Sequence, residues 1–412
     1  MNTLSIRTKV VTAITGSLAL MALLLIQQQR RAYRESIDLI SHQSLTAAQS
    51  GFAELTRQEV DKMRAVFEAV VQNPKVLELY SHERRLELYE YTKPLFESLD
   101  RSYGITNFNY IDASENRILV MAAPKDPKLI HTKAVRFDVQ RAAVTKDWAS
   151  GLALGNQGFA LRVAHPVWDS GHLSGGKLLG YLELGKEVGS FAQTLKVQSG
   201  NEIGFLLLKR RLTPEAWAAS RTIHHLPNNW ADRPDTVLGA NTSRDESLFA
   251  YAGDITQLAD HGVCLDVFNR GENSYARTAF PIKDGEGARA GAVFVLSDVT
   301  ASTRQLERAM RNTLVITLSL IVALSIGLSL LLQRLVFQRL HGIVRVATRV
   351  VGGDYASPIA VRNRDEIGQF ESLFEQFRQV FVNLLSEVER HGQLSGRSSL
   401  PIEASRGESQ SE

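Results

Sequence analysis

An arginine inside an otherwise apolar strand is the residue of this chain best suited to bind a small ligand. Arg162 lies in the segment Gly158–Val167, where most of its neighbours are apolar. A guanidinium in that setting could hold a carboxylate or a phosphate through two parallel hydrogen bonds. In the alternative interpretation, the side chain simply faces water. Further pocket candidates, chosen by position, are Tyr110, Arg136, Trp148 and Glu183.

Side-chain patterns that would support catalysis are missing from the sequence. We find no Ser/His/Asp or paired-carboxylate arrangement, no nucleotide-binding glycine-rich loop, and no cyclase or phosphodiesterase signature. The one cysteine, Cys264, has no Cys/His partners at metal or haem spacing. With 47 basic and 44 acidic residues, the net charge of +3 does not indicate a nucleic-acid partner. The sequence therefore predicts a protein that is not an enzyme and needs no cofactor or metal.

The elements around Arg162 are predicted from periodicity. A long helical pattern runs from Tyr33 to Val70 and ends at Asn73-Pro74. A second helical stretch covers about residues 83–102, and a third, about 134–145, lies among short strands bounded by turn residues. The predicted strands are Phe108–Asp112, Arg117–Ala122, Gly158–Pro166 and Leu178–Leu184. This order predicts an α+β fold rather than alternating βαβ units.

The sequence predicts that the strand containing Arg162 is repeated about 115 residues later. Phe159 to Val167 aligns with Ser274 to Ile282, which places Arg162 on Arg277 and Pro166 on Pro281. Each copy is followed by a polar, glycine-rich turn and then by an apolar strand. The apolar strand begins at Gly180 after the first copy and at Gly291 after the second. The alignment predicts two related modules in tandem.

Two apolar runs are long enough to cross a membrane. Val10–Ile26 and Leu314–Leu332 contain no charge, and both fall within the roughly 17–25 residues that a transmembrane helix needs. The first could instead be a cleaved signal peptide, but the residues after Ile26 do not form a small-x-small cleavage site. We therefore predict spans at 10–29 and 313–332, which place both termini on the same side.

A heptad seam follows the second span. Its apolar positions step by three and four residues and imply helices packed side by side, most simply in a homodimer. The alternative is an amphipathic helix that covers another domain or the membrane surface. The seam positions are Leu340, Ile343, Ala347 and Val350, then Ile367, Phe370, Phe374, Phe377, Phe381, Leu384 and Val388.

This segment resembles a HAMP domain over residues 333–388. The resemblance rests on Gly353-Asp354, on Val361 in the connector, and on the motif Arg364 to Gly368, which contains Asp365, Glu366 and Ile367. It implies a parallel four-helix bundle in a dimer, in the cytoplasm, with Gly353 and Glu366 setting the geometry of the connector and second helix. One position departs from the pattern, because the first helix usually starts with a proline where this chain has Arg339.

The region before the second span resembles the double Cache sensory domain of bacterial receptors. The residues that carry the resemblance are Phe108–Asp112, Gly158–Val167, Gly180–Glu187 and Gly204–Lys209 with Trp217. It implies two tandem PAS-like modules on a long N-terminal helix, a distal one at about 75–200 and a proximal one at about 201–300. Small-molecule ligands would bind the distal module.

Together these features predict a receptor in the bacterial inner membrane. Residues 1–9 would be cytoplasmic, 30–312 would form the periplasmic sensory region, and 389–412, rich in Ser, Gly and Glu, would be a disordered tail. Binding of a small molecule outside would be relayed through the HAMP bundle to a separate cytoplasmic partner. Two alternatives stay open: the sensor half of a histidine kinase or diguanylate cyclase whose output domain is split off or truncated, and a ligand-binding scaffold that no longer signals.

Overall fold

The computed structural model describes residues 6–155, 158–171, 174–223, 225–355, 357–358 and 366–395. The chain divides into two units, one of residues 29–308 and one of residues 1–28 with 309–412.

The helices at the start of the chain agree closely with the periodicity of the sequence. Helix α1 runs without a break over Ile6–Val71, and α2 (Pro74–Ser81) and α3 (Arg85–Tyr103) follow. The Asn73-Pro74 pair, predicted only as a stop, also starts α2. The Asn73 side chain accepts hydrogen bonds from the backbone of Lys75 and Val76, and proline is favoured at the first helical position.

Module A is the part of the 29–308 unit built on the first antiparallel sheet. Its sheet has the strand order β2-β1-β5-β4-β3, and helix α4 (Phe137–Thr145) lies between β2 and β3 in sequence. The strands are β1 (Ile105–Asp112), β2 (Arg117–Val120), β3 (Ala149–Gly155), β4 (Gly158–Trp168) and β5 (Leu178–Glu187). The sequence patterns missed β3, whose small residues give little alternation.

Module B is built on the second antiparallel sheet, with the order β7-β6-β10-β9-β8. Helix α5 (Gly189–Ser199) precedes it, and α6 (Pro214–Ile223) lies between β6 and β7. Short 3-10 turns at Glu246–Phe249 and Ile255–Gln257 precede β8. The strands are β6 (Glu202–Leu208), β7 (Thr236–Asn241), β8 (Val263–Arg270), β9 (Asn273–Lys283) and β10 (Arg289–Asp298).

The predicted repeat is confirmed by the register of the two sheets. In module A, Val167 on β4 pairs with Gly180 on β5. In module B, Ile282 on β9 pairs with Gly291 on β10, which are the aligned positions. The α+β architecture of two tandem modules on a long N-terminal helix is therefore the observed one.

One apolar core joins α1 to both modules. Met63 and Phe67 on α1 are fully buried, and they belong to the same cluster as Leu182 of β5 and Val293 of β10. Phe52 on α1 contacts three rings, with centroid separations of 5.9–6.1 Å. Burial of this kind contributes about 25 cal/mol per Å² of apolar surface, so α1 is the common support of the two sheets.

The second unit consists of helices. Helix α7 spans Thr300–Leu332 and leads through a π-helical stretch at Gln333–Phe337 into α8 (Gln338–Val351), and α9 spans Glu366–Ser395. Helix α9 therefore continues past residue 389, where a disordered tail was predicted, and residues 396–412 lie outside the described part of the chain.

Two helices are long and apolar enough to cross a membrane. One stretch lies in Thr12–Val71 and the other in Thr300–Val351, and neither apolar window is buried against the protein. Inside the helical unit, the hydroxyl groups of Thr15 and Ser325 lie 3.3 Å apart. The lengths and composition are those that the two predicted spans require.

Candidate functional site

A polar row crosses the sheet of module A at its centre. Asn109 on β1 pairs with Glu183 on β5, and Glu183 pairs with Ala164 on β4. Because residues directly opposite in neighbouring strands point to the same face of a sheet, Asn109 and Glu183 share one face. Helix α4 covers that face, with Val139 and Ala142 buried against Ala164.

Glu183 is the centre of a buried ionic cluster. Its Oε1 atom accepts hydrogen bonds from Arg136 Nη1 and Arg162 Nη1, both at 2.7 Å, and its Oε2 accepts one from Asn109 Nδ2 at 2.8 Å. The side chain is completely buried. Burial alone would raise the pKa of Glu183, but the charges of Arg162 and Arg136 bring that pKa below its ordinary value. Glu183 is therefore held as a carboxylate.

A glycine makes room for the Arg162 side chain. Gly185 on β5 pairs with Arg162 on β4. A Cβ atom at Gly185 would lie 3.1 Å from Asn107 Cβ and 3.4 Å from Arg162 Cγ and Nη1. The missing side chain lets the guanidinium extend across β5 towards Glu183.

Asp138, in the first turn of α4, carries a buried carboxyl group. It has no exposed surface, and neither of its carboxyl oxygens has a hydrogen-bond partner from any other residue that the structure describes. Burial, and next the charge of Glu183, raise the pKa of Asp138 to about 7. The Oδ1 atom of Asn109 is also buried and has no hydrogen-bond partner within the described part of the chain. Since buried polar atoms are nearly always satisfied, these acceptors are suited to a donor that comes from outside the chain.

The cluster carries an excess of positive charge. Arg117 on β2 feels the charges of Arg136, Glu183, Arg162 and Asp138, and burial and then the Arg136 charge lower its pKa. Three guanidinium groups therefore share this environment with two carboxyl groups, one of which has a raised pKa. A small anion is attracted to such a site.

The structure brings three of the five predicted pocket residues together: Arg136, Arg162 and Glu183. Tyr110 lies on the opposite face of the sheet, where its ring stacks on Phe108 and contacts Tyr80. The two faces follow from strand alternation, because Tyr110 is next to Asn109 in β1.

Trp148 is likewise away from the cluster. Its ring contacts Phe67 of α1 at 4.9 Å and His165 at 4.2 Å between centroids, and the Arg64 guanidinium lies over it. His165 is adjacent to Ala164 in β4 and so points to the α1 side of the sheet. Trp148 therefore belongs to the packing between α1 and module A.

Asn109, Arg117 and Asp138 were not singled out from the sequence. Asn109 could have been found, because it alternates with Phe108 and Tyr110 and must face the other way. Asp138 reads as an ordinary acidic residue in the first turn of a helix. Its burial depends on how α4 lies on the sheet, which periodicity does not reveal.

An open cavity lies elsewhere, between the edge of module A and module B. A cavity of about 450 Å³ is lined mainly by apolar groups, among them Phe159, Phe205, Leu207 and Trp217, with Arg221. It does not include the ionic cluster. We place the candidate site at the cluster, because buried acceptors of this kind define which donor groups a ligand would need, whereas a volume alone does not.

The helical unit carries the predicted relay residues. Arg339 on α8, which stands where the HAMP pattern has proline, donates to Glu371 Oε2 on α9 at 3.0 Å, and both side chains are largely buried. Gly353, just after α8, has φ +94°, a backbone conformation that favours glycine at a helix C-terminus. Helix α9 begins at Glu366, and Asp365 lies outside the described residues.

The apolar seam of α9 forms a continuous line of rings. Phe370, Phe374, Phe377 and Phe381 follow one another with centroid separations of 6.1–6.4 Å. Phe370 is 51% exposed and Phe377 is 61% exposed, and Ile367, at the start of the line, is half-buried. An aromatic stripe this exposed in a single chain is suited to a partner helix.

Comparison with protein families gives two matches that account for most of the chain. Residues 40–303 match the dCache_3 family, described as the double sensory domain of two-component sensor kinases. Residues 331–379 match the HAMP domain family. A double sensory domain followed by a HAMP domain is the organisation of a bacterial signalling receptor. The chain belongs to the dCache_3 family.

Solved structures of low sequence identity are similar to the sensory region. The sensor domain of the histidine kinase DctB from Vibrio cholerae is 14% identical, covers 66% of this chain and 98% of its own, and has a TM-score of 0.38. The ligand-binding domain of the Campylobacter jejuni chemoreceptor Tlp3, in complex with L-norvaline, is 13% identical, covers 66% and 93%, and has a TM-score of 0.36. A search of curated proteins finds no significant match. The family assignment rests on the family matches.

Proposed function

We propose that the protein is an inner-membrane receptor that binds a small molecule in the periplasm at the ionic cluster of module A. The observation that supports this proposal is the fully buried Asp138 carboxyl group, whose two oxygens accept no hydrogen bond from the other described residues. A ligand that donates hydrogen bonds to Asp138 and Asn109 would satisfy these acceptors.

The chemistry of the cluster favours a small acid that also carries a hydrogen-bond donor. Guanidinium groups bind carboxylates and phosphates with charge-assisted hydrogen bonds, and Arg117, Arg136 and Arg162 supply three of them. Arg136 and Arg162 each donate a hydrogen bond to Glu183 through their Nη1 atom. The donor of the ligand would face Asp138, and its acid group would face the guanidinium groups.

The test is a thermal-shift screen of the full-length protein in nanodiscs against small carboxylates and phosphates, with and without an amino group. Compounds that carry both groups should raise the Tm by mass action. Asp138→Asn keeps the shape and removes the charge, so it should weaken a hit at least about tenfold, the effect expected for the loss of one charge-assisted hydrogen bond. Asp266→Asn in module B is the matched control and should leave the affinity unchanged. A hit that binds Asp138→Asn as well as wild type would place the site elsewhere.

We further propose that the receptor is a homodimer through the aromatic seam of α9 and acts on a separate cytoplasmic protein. In a dimeric HAMP bundle the exposed rings of Phe370 and Phe377 would face the partner helix. Phe377→Asp should reduce the dimeric fraction measured by light scattering in detergent. Gln376→Asp, on the neighbouring exposed position, should not. An equal dimeric fraction in both variants would remove this seam from the interface.

A histidine kinase is the output that the family description favours, since dCache_3 domains are described as belonging to two-component sensor kinases. We expect a cytoplasmic partner that co-purifies with the full-length chain and loses binding when residues 367–388 are deleted. If that partner incorporates phosphate from ATP on a histidine, the kinase output is supported. A partner without this activity would favour another output class.

A further inference from the structure

Three different metal-ligating groups meet where α1 lies beside module B. Asp38 and His42 are four residues apart on α1, so they lie on one face of the helix, and His42 Nε2 is 3.5 Å from Asp38 Oδ1. Cys264 on β8, the edge strand of the described sheet, supplies a thiol. The ligating atoms of the three residues all lie within 4.8 Å of one another.

These separations are close to those of a metal centre. Three atoms within 4.8 Å of one another can all lie about 2.8 Å or less from a common point, whereas zinc ligands lie at about 2.0–2.3 Å. The remaining adjustment is therefore at most about 0.5–0.8 Å for each ligand atom. Asp38 and His42 are 66% and 62% exposed, so rotation of their side chains meets little packing resistance.

The backbones that carry the three groups are held together by packing. Ile37 of α1 is buried with Ala276 of β9 and Val299. Just before β8, Gly262 adopts φ +81°, and Leu45 of α1 occupies the space that a Cβ atom there would take. The approach of α1 to the start of β8 therefore does not depend on the metal-ligating side chains.

We propose that Asp38, His42 and Cys264 form a binding site for a zinc-class divalent cation, which clips α1 to β8. One thiolate, one imidazole and one carboxylate suit a borderline cation such as Zn²⁺, whereas Ca²⁺ and Mg²⁺ prefer sets of oxygen ligands. Three protein ligands leave a fourth position for water or an external ligand. The site shares no residue with the ionic cluster of module A, so it is independent of the proposed function.

The surroundings are compatible with a cation. A cavity of about 320 Å³ adjoins the site and is lined by Asp38, Cys264, Asp266 and Arg277, among others. The Arg277 charge is paired with Asp266 at 3.1 Å. Burial, and next the Asp38 charge, raise the pKa of the Cys264 thiol. Binding therefore exchanges the thiol proton for the cation, and the proton passes to the buffer.

The test uses the full-length protein in detergent, purified without a polyhistidine tag. Titration with Zn²⁺ should show one site per chain that excess Ca²⁺ or Mg²⁺ does not occupy. Co²⁺ should give a thiolate-to-metal charge-transfer absorption band, and Cys264→Ser should abolish it. Cys264→Ser and His42→Ala should each raise the Kd for Zn²⁺ at least about tenfold, since even the loss of groups that only orient metal ligands costs 10- to 100-fold.

A matched control is available at the end of α2, where Glu78 and the C-cap residue His82 have the same four-residue spacing as Asp38 and His42. His82→Ala should leave Zn²⁺ binding unchanged, and so should Asp138→Asn in the ionic cluster. The proposal is overturned if Co²⁺ binds without the thiolate band, or if Cys264→Ser binds Zn²⁺ as tightly as the wild type. Circular dichroism of each variant separates loss of the site from loss of the fold.

Discussion

Modules A and B have the same strand order and the same register, yet their equivalent faces have opposite chemistry. In module A, the central row contains Asn109, Glu183 and Ala164. In module B, the aligned row contains Gly204, Phe294 and Ala279. Phe249 lies against Gly204 and fills the space that a side chain there would occupy. An ionic cluster under α4 is thus replaced by an apolar core under two short 3-10 turns.

The aligned arginines show how one neighbour redirects a side chain. Arg162 pairs across the strands with Gly185 and can extend over it to Glu183. Arg277 pairs with Leu296, so the equivalent path is occupied. Arg277 instead forms an ion pair with Asp266 on β8 and lies over the Phe268 ring. The same sheet architecture therefore accommodates an ionic cluster in module A and a packed apolar core in module B. The side chains at a few aligned positions determine which of the two forms.

The largest contrast should appear when the central residue of the module A cluster loses its charge. Glu183→Gln leaves buried guanidinium groups without their carboxylate, and breaking a buried ion pair in this way costs about 3–5 kcal/mol. We expect a Tm lower by roughly 10 °C for the full-length protein in detergent. Asp266→Asn is the comparison in module B. Equal effects of the two variants would contradict the difference between the modules.

The second prediction concerns the pH dependence of stability at Asp138. Because the folded-state pKa is raised to about 7, Asp138 costs no stability below about pH 4, and the cost grows as pH rises towards 7. Asp138→Asn should therefore raise the Tm relative to the wild type, by nothing at pH 4 and most at pH 7.5. The corresponding gain in the free energy of unfolding is at most about 4 kcal/mol. Glu183, whose pKa is lowered, contributes stability with the opposite sign of pH dependence, which is lost as pH falls below its ordinary value. A Tm difference independent of pH would show that Asp138 is not buried as described.

The third prediction tests a contact that joins the two modules. Gly285, in the turn between β9 and β10, donates a backbone hydrogen bond to Leu152 of module A at 2.8 Å, and a Cβ atom at Gly285 would overlap the Phe137 ring at the start of α4. Gly285→Ala must displace Phe137, and overpacking of this kind costs about 1–3 kcal/mol. We expect a lower Tm and weaker binding of any ligand that contacts Asp138. Glu286→Ala changes the same turn without adding an atom near Phe137 and should leave ligand binding intact.

The smallest effect is expected at the module B ion pair. Asp266 is 51% exposed, and exposed pairs contribute about 0.2–1 kcal/mol. Asp266→Asn should change the Tm by no more than roughly 3 °C. A larger decrease in Tm would show that Arg277 depends on Asp266 as strongly as Arg162 depends on Glu183. The two modules would then differ only in the residues of their central rows.

Much of the fold could be predicted from local patterns. The long helix that ends before Asn73, the strand around Arg162 and its copy around Arg277 all follow from periodicity, because burial of one face repeats every 3.6 or 2 residues. Strand β3 was missed, since its small residues do not alternate in polarity. Three of the predicted pocket residues, Arg136, Arg162 and Glu183, lie together in the ionic cluster, and their role in ligand binding stays a prediction. Because side chains alternate between the two faces of a strand, Tyr110 could also have been excluded from the face that carries the ionic cluster.

By itself, the sequence determined the α+β class, the two modules, the two apolar spans and the heptad seam, because each depends on residues that are near in the chain. Only the tertiary structure decided that Asp138 is fully buried, since its burial depends on how α4 lies on β4 and β5. The same holds for Cys264, which meets Asp38 and His42 from a distant part of the chain. Contacts between distant segments are set by packing, and local periodicity carries no information about them.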